Sequence, residues 1–344
     1  MEITTLGLDL AKNVFQVHGI SNAGEVVVRR LRRAQVIPFF SNLPPCLVGM
    51  EACGTSHYWA RELTGLGHEV RLMPPAYVKP YVKRGKTDAS DAEAICEAVR
   101  RPTMRFVPIK SVDQQAALAL HRTRDLLVRQ RTQLVNMIRA VLAEFGIEIP
   151  KGITYALAFV RRAVAGEAQD IPPLAGRVIA ALAEQALEGQ SRIHQLEREL
   201  LAWHRSSELS QRIATVPGVG LLGATALAAT VTDPAQFHSG RQFAAWLGLT
   251  PLQNCSGGKE RLGRISKMGD QYLRRLLING MTSLVARNAR RPDMADPRIT
   301  ALLARKPLRV ATVAMANHAA RAIWAIMVRG ETYRAPAALR AAAA

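Results

Sequence analysis

Four carboxylates and one hydroxyl mark where this sequence could do chemistry. Asp9 follows an apolar run in GLDLAK, Glu51 ends another in VGMEACG, and Asp88 and Asp91 stand in KTDASDAEAI at the start of a helical pattern. A spacing of three puts the last two on one helix face. Singly, each has a structural use: Asp9 as a turn residue, Glu51 as a strand-end charge, Asp88 as a helix N-cap. Together in one cleft they would repel one another unless cations joined them, and hard oxygen donors in that number suit Mg²⁺ or Mn²⁺. Such a site activates an attacking oxygen and stabilises a leaving one in phosphodiester chemistry. Lys86, just ahead of Asp88, would balance charge or touch phosphate.

The hydroxyl belongs to Ser256 in PLQNCSGGKERLGRISK. Cys255 is beside it, and no histidine or aspartate adjoins it as a base. Gly257 and Gly258 would let a backbone approach closely. Lys259, Arg261, Arg264 and Lys267 are placed on phosphates. Arg274 and Arg275 on the next helix would join them or form a solvated helix face. Upstream, VPGVGLLG spells G-x-G-x-x-G through Gly218, Gly220 and Gly223. No strand leads into it and no acidic residue follows at the required distance, which excludes a dinucleotide fingerprint. The turn reads as a helix–hairpin–helix element whose Gly218 and Gly220 N–H groups receive a DNA phosphate, or as a tight helix–helix turn without a ligand.

The elements that must position these groups divide the chain in three. ITTLGLDL, VFQVHGI and EVVVRRL predict a three-stranded meander. CLVGME and HEVRLM add two strands around the helix TSHYWARELTGLG, and DASDAEAICEAVRR is a second helix ending before Pro102. That order predicts a ribonuclease-H-like α/β domain with the first strand central and the fourth beside it. Leu120, Leu127, Leu134 and Val141 then recur every seven residues, beside a seam of Ala117, Ile138 and Phe145 that Arg124 and Arg131 interrupt. A second such run extends from Ile179 to Trp203, which predicts an antiparallel helical hairpin, an oligomerising coiled coil, or an ordinary helical subdomain. From 213 the chain reads as mostly helical.

Charge sorts the same regions. The chain is 344 residues long with formal net charge +19, so a polyanionic partner is expected. Residues 1–110 carry 15 basic and 10 acidic groups, 111–240 carry 13 and 12, and 241–329 carry 16 and 4. The C-terminal block is therefore the first choice for phosphate contact. The N-terminus lacks the basic and apolar regions of a signal peptide, and no apolar run reaches the length of a membrane span. The cysteines form no C-x-x-C pair, so a reducing cytoplasm is expected and zinc is not.

With GLDLAKNVFQVHG, GMEACGTS, KTDASDAEAI, VPGVG, FAAWLGLTP and CSGGKERLGRISKMGDQYLRRLL in this order, the chain resembles transposases of the insertion sequence 110 family, closest to the 1111-like branch. The resemblance implies a RuvC-like domain (1–110) with a D-E-D-D set at Asp9, Glu51, Asp88 and Asp91. It further implies a coiled-coil domain (111–207), a C-terminal transposase domain (208–330) with its serine at Ser256, and a tail (331–344). The implied function is a DNA recombinase guided by a structured bridge RNA, acting as a homodimer or homotetramer on donor and target duplexes in a bacterial cytoplasm, at the nucleoid. Its serine would attack a DNA phosphate, with metal at the carboxylates. Two other readings stay open at this level: a RuvC-like structure-selective nuclease using activated water, and a non-enzymatic nucleic-acid-binding protein.

Overall fold

β1 (Ile3–Asp9) is buried or half-buried along its whole length because both faces of its sheet are covered. The structure, a computed structural model, describes residues 2–83, 85, 87–167, 171–256, 259–291 and 296–334. They form two compact units, 1–112 and 113–344.

In the first unit β1 is followed by β2 (Val14–Ser21), β3 (Val26–Arg32), α1 (Val36–Ser41), β4 (Leu47–Glu51), α2 (Ser56–Gly65), β5 (Glu69–Met73), α3 (Pro75–Val78) and α4 (Asp88–Val99). The sheet order is β3-β2-β1-β4-β5, with β1–β2 and β2–β3 antiparallel and β1–β4 and β4–β5 parallel. The first strand is central and the fourth lies beside it, as expected, and the topology fits a RuvC-like fold. Leu6, Leu8, Phe15, Val48 and Met50 point to one face, where Phe40, Trp59 and Leu63 from α1 and α2 bury them. The other face belongs to α4, which packs across β1, β2 and β4.

Two glycines allow that approach. A Cβ on Gly7 would lie 2.2 Å from the Ala92 carbonyl oxygen and 2.5 Å from the Cys96 nitrogen; one on Gly49 would lie 2.8 Å from Val99 Cβ. Gly7 and Gly49 are register partners on β1 and β4. Each stands two residues before a carboxylate, so Asp9 and Glu51 share the face that α4 covers.

The second unit begins with an arm. α5 (Val112–Ala143) and α7 (Pro173–Ser206) run antiparallel, joined through α6 (Ile153–Val164). The arginines that interrupt the apolar seam cross between the long helices: Arg124 donates from Nε and Nη2 to Glu197 at 2.8 and 2.6 Å, and Arg131 donates to Gln190. Trp203 Nε1 donates to Asp113 at 2.9 Å. Ile138, Leu142, Val160, Ile179 and Ala183 close the far end, with α6 as the third side where the sequence predicts only a joining segment.

The remaining helices are α8 (Glu208–Ala214), α9 (Leu221–Thr230), α10 (Gly240–Trp246), α11 (Gln271–Arg290), α12 (Pro297–Leu303) and α13 (Leu308–Arg329). Between α10 and α11 stands a two-stranded hairpin, β6 (Pro251–Ser256) and β7 (Lys259–Ile265). The arm, expected by itself from 111 to 207, shares this unit with them. His121 on α5 sits fully inside it, with Nδ1 3.0 Å from the Tyr272 hydroxyl and Nε2 3.0 Å from the Thr225 hydroxyl. Burial, aided by Arg124, pulls its pKa down to about 4 and keeps it neutral. Within the stretch expected to be a tail from 331, the Tyr333 N–H donates to Thr215 Oγ1 at 2.8 Å. No helix among the described residues is long and apolar enough to cross a membrane.

Candidate active site

Parallel strands end on the same side of a sheet, and there β1 and β4 deliver Asp9 and Glu51 side by side. The third contributor comes from α4. Its N-cap is Thr87, whose hydroxyl accepts from the Ser90 N–H while Ser90 Oγ lies 3.2 Å from the Thr87 N–H. Asp88 is therefore not the cap; it opens the first turn, with Asp91 one turn on. Asp9, Glu51 and Asp91 line one cleft of about 290 Å³, together with Pro75, Ala76, Lys79 and Val82. Asp88 is exposed outside that lining.

The carboxylates feel one another. Burial, then the negative charges of Asp91 and Asp88, push the Asp9 pKa up to about 6. Burial, then Asp9 and Asp91, raise that of Glu51. Confined like charges shift in this direction when no cation neutralises them. Among the described residues no three histidine, cysteine or acidic side chains meet at metal-ligand spacing. The chemistry of the cleft donors, carboxylate oxygens at its mouth, fits Mg²⁺ or Mn²⁺. Lys79, which no sequence motif singles out, is the cation in the lining. Lys86 lies outside the described residues.

The second set occupies the hairpin. Ser256 closes β6 rather than sitting in an open loop, and the register places it opposite Lys259; Cys255 stands opposite Glu260. Gly257 and Gly258 lie outside the described residues. Arg261, Arg264 and Lys267 are exposed, and Lys267 is the one non-glycine with positive φ (54°) among the described residues.

Arg274 does not fit the phosphate contact expected of it. It is 8% exposed, and its Nη1 donates to the Leu247 carbonyl at 3.0 Å and the Met268 carbonyl at 2.7 Å. Those carbonyls flank the hairpin, so Arg274 ties its two feet together. Two glycines support the clasp: a Cβ on Gly248 would lie 2.3 Å from the Met268 oxygen, and one on Gly269 1.9 Å from the Trp246 oxygen. Arg275 stays half-exposed, pairs with Asp125 and stacks 5.2 Å over Tyr272.

At the glycine-rich turn α8, not a strand, precedes VPGVG, in keeping with the rejection of a dinucleotide fingerprint. Gly218 adopts φ +82°, and a Cβ there would lie 2.5 Å from Met281 Cε. Gly218 thus serves close packing against α11, while Gly220 has open space around it.

A carboxylate cleft at the strand ends of a RuvC-like sheet, on a chain of net charge +19, is the architecture of a metal-dependent enzyme acting on nucleic acid. Comparison with known proteins narrows the class. Residues 6–147 match the DEDD transposase model of IS110 elements, and residues 210–295 match the model described as the transposase IS116/IS110/IS902 family. A probable family 20 transposase of Pseudomonas aeruginosa is 50% identical over 97% of this chain and 99% of its own length. The transposase for insertion sequence element IS1111A of Coxiella burnetii is 42% identical over 97% and 92%. That for IS1328 of Yersinia enterocolitica is 39% identical over 96% and 98%. The chain belongs to the IS110 family of transposases. It is accordingly a DNA-binding enzyme that cuts and rejoins DNA strands, and its DEDD domain implies dependence on a divalent metal.

Proposed function

We propose that Asp9, Glu51, Asp88 and Asp91 hold the metal, Mg²⁺ or Mn²⁺, and that Ser256 forms a covalent bond to DNA during strand exchange. The observation that carries the first part is the convergence of Asp9, Glu51 and Asp91 on one cleft, with the Asp9 pKa pushed up to about 6. A metal held there supplies charge stabilisation at phosphate oxygens. Asp9 and Glu51 set its position from rigid strand ends, Asp91 and Asp88 from the first turn of α4. Lys79 meets a non-bridging phosphate oxygen at the cleft wall.

Ser256 supplies the nucleophile. Its hydroxyl oxygen attacks phosphorus and gives up its proton, a phosphoserine bond forms, and the strand's own oxygen leaves and takes up a proton as a hydroxyl; rejoining reverses these bonds and proton transfers with another strand end. The number of phosphodiester-type bonds is conserved throughout. Chemistry favours the serine over its neighbour Cys255: a serine oxygen forms an ordinary phosphate ester that strand rejoining can reverse. Arg261, Arg264 and Lys267 hold the flanking phosphates, and the open Gly220 turn takes another. Guidance by a bridge RNA and action as a dimer or tetramer rest on family membership.

Mn²⁺ titration of the full chain tests the metal site. Wild-type protein is expected to bind, and the Asp9→Asn/Glu51→Gln/Asp91→Asn variant to lose at least tenfold in affinity; unchanged affinity in a folded variant contradicts the assignment. Copurification of a discrete RNA that protects the protein from proteolysis tests the guidance.

A further inference from the structure

The edge strand β3 carries more positive charge than an edge requires. Residues 26–50 hold four arginines, Arg29, Arg30, Arg32 and Arg33, and no acidic residue. None of the ion pairs among the described residues uses them. Arg33 stacks 5.0 Å over Trp59; Arg29, Arg30 and Arg32 are exposed. Edge strands are protected from unwanted pairing by a charge of either sign. Four cations with no ion-pair partner among the described residues exceed that need, and they complement a polyanion.

Register fixes where two of them stand. Asp9 pairs with Gln16, and Gln16 pairs with Arg30. Directly paired residues of antiparallel strands share a face. Arg30 is therefore on the Asp9 face of the sheet, two strands away, or about 10 Å at the usual strand spacing. Arg32, opposite Val14, extends the row toward the sheet end where the cleft opens. Gln16 between them is covered (5% exposed), so the row emerges from beneath α4 at Arg30. Arg29 alternates to the opposite face.

We infer that Arg30 and Arg32 hold successive phosphates of the duplex DNA whose strand enters the Asp9 cleft, extending the substrate path across the sheet edge. The direction of that path rests on the reading of the cleft as the cutting site. Duplex DNA is the occupant because the enzyme cuts and rejoins DNA, and a cation row sharing a face with the carboxylates meets a continuous phosphate backbone.

The test is the salt dependence of binding between the full chain and a fluorescent DNA duplex, with EDTA present so that nothing is cut. Arg30→Gln/Arg32→Gln leaves two phosphates without their cations, which lowers the slope of log K against log salt by about 1.8. The variant's loss of affinity between 50 and 200 mM salt is then about 12-fold smaller than the wild type's. Arg29→Gln retains the wild-type slope, and Arg30→Lys/Arg32→Lys restores it; thermal melting confirms that all fold. An unchanged slope in folded Arg30→Gln/Arg32→Gln overturns the inference, even if self-association or binding to single-stranded RNA falls. So does an equal drop in Arg29→Gln, which would mean general charge rather than a path on one face. Cutting that survives in Asp9→Asn would sink the cleft reading and leave this slope untouched, so the two failures are distinguishable.

Discussion

Replacing Gly7 by alanine adds one methyl group where α4 leaves no room. The new Cβ would lie 2.2 Å from the Ala92 carbonyl oxygen, so α4 must retreat about 0.8 Å to reach the 3.0 Å below which Cβ contacts are essentially never found. Both obstacles nearest to it are helix backbone, which cannot rotate away. Overpacking of this kind costs about 1–3 kcal/mol, or roughly 5–15 °C in the melting of a unit this size. The same retreat carries Asp91 away from Asp9. A misplacement near 1 Å costs on the order of 100-fold in rate. The assay is metal-dependent cutting of a plasmid carrying the insertion sequence, at a temperature where Gly7→Ala remains folded, alongside thermal melting. Gly49→Ala is expected to be milder, since its new Cβ would lie 2.8 Å from Val99 Cβ, about 0.2 Å short of that limit rather than 0.8 Å. Gly65→Ala, at the end of α2 with nothing within 4 Å, is the neutral control. Wild-type cutting and melting in Gly7→Ala would refute the claim that close approach of α4 builds the site.

Asp9 makes stability depend on pH with a definite sign. Its folded pKa of about 6 lies above the usual carboxylate value, so the stability it contributes is fully present below about pH 4 and is lost as pH rises to 6. In metal-free protein, Asp9→Asn should raise the melting temperature at pH 7.5 more than at pH 4 while abolishing cutting; a larger gain at pH 4 contradicts the burial and repulsion read here. Arg274→Ala removes both hairpin ties and should cost about 3–6 kcal/mol, two hydrogen bonds to a charged group at about 1.5–3 each, seen as a fall in melting temperature with little change in the salt slope of DNA binding. Arg275→Ala breaks an exposed pair worth about 0–1 kcal/mol, and its melting should stay close to wild type.

Much of the first unit was legible because its signals are local. The runs ending at Asp9 and Glu51, the turn at SNAG and the helix start at Asp88 each announce themselves within a few residues, and strand order followed from their sequence. The tightness of the site was written just as plainly in Gly7 and Gly49, each two positions before its carboxylate. Seeing it requires α4 to be known to lie above them, which is a long-range fact. Asp88 could be placed at the helix start but not told from a cap, because Thr87 competes for the same role.

The second unit hid more. PLQNCS and KERLGRI lack the apolar alternation of a half-buried sheet, since among the described side chains Leu252 and Leu262 are 48% and 68% exposed. Only the paired glycines between them signalled a hairpin. Arg274 and Arg275 are indistinguishable by sequence; one turns inward because two distant carbonyls at Leu247 and Met268 lie within its reach. The arginines of β3 were outweighed by the larger C-terminal excess, and only strand register shows that two of them share the face of Asp9.

The central claim is that the carboxylate cleft and Ser256 serve one strand-exchange reaction, and a trapped protein–DNA adduct tests it most directly. Wild-type protein, supplied with its insertion sequence DNA and Mg²⁺ and then denatured, is expected to retain DNA covalently, and proteolysis should leave a phosphoserine at position 256. Ser256→Ala and Asp9→Asn should each retain none. An adduct that persists in Ser256→Ala, or one that forms at the wild-type rate in Asp9→Asn, would contradict the account.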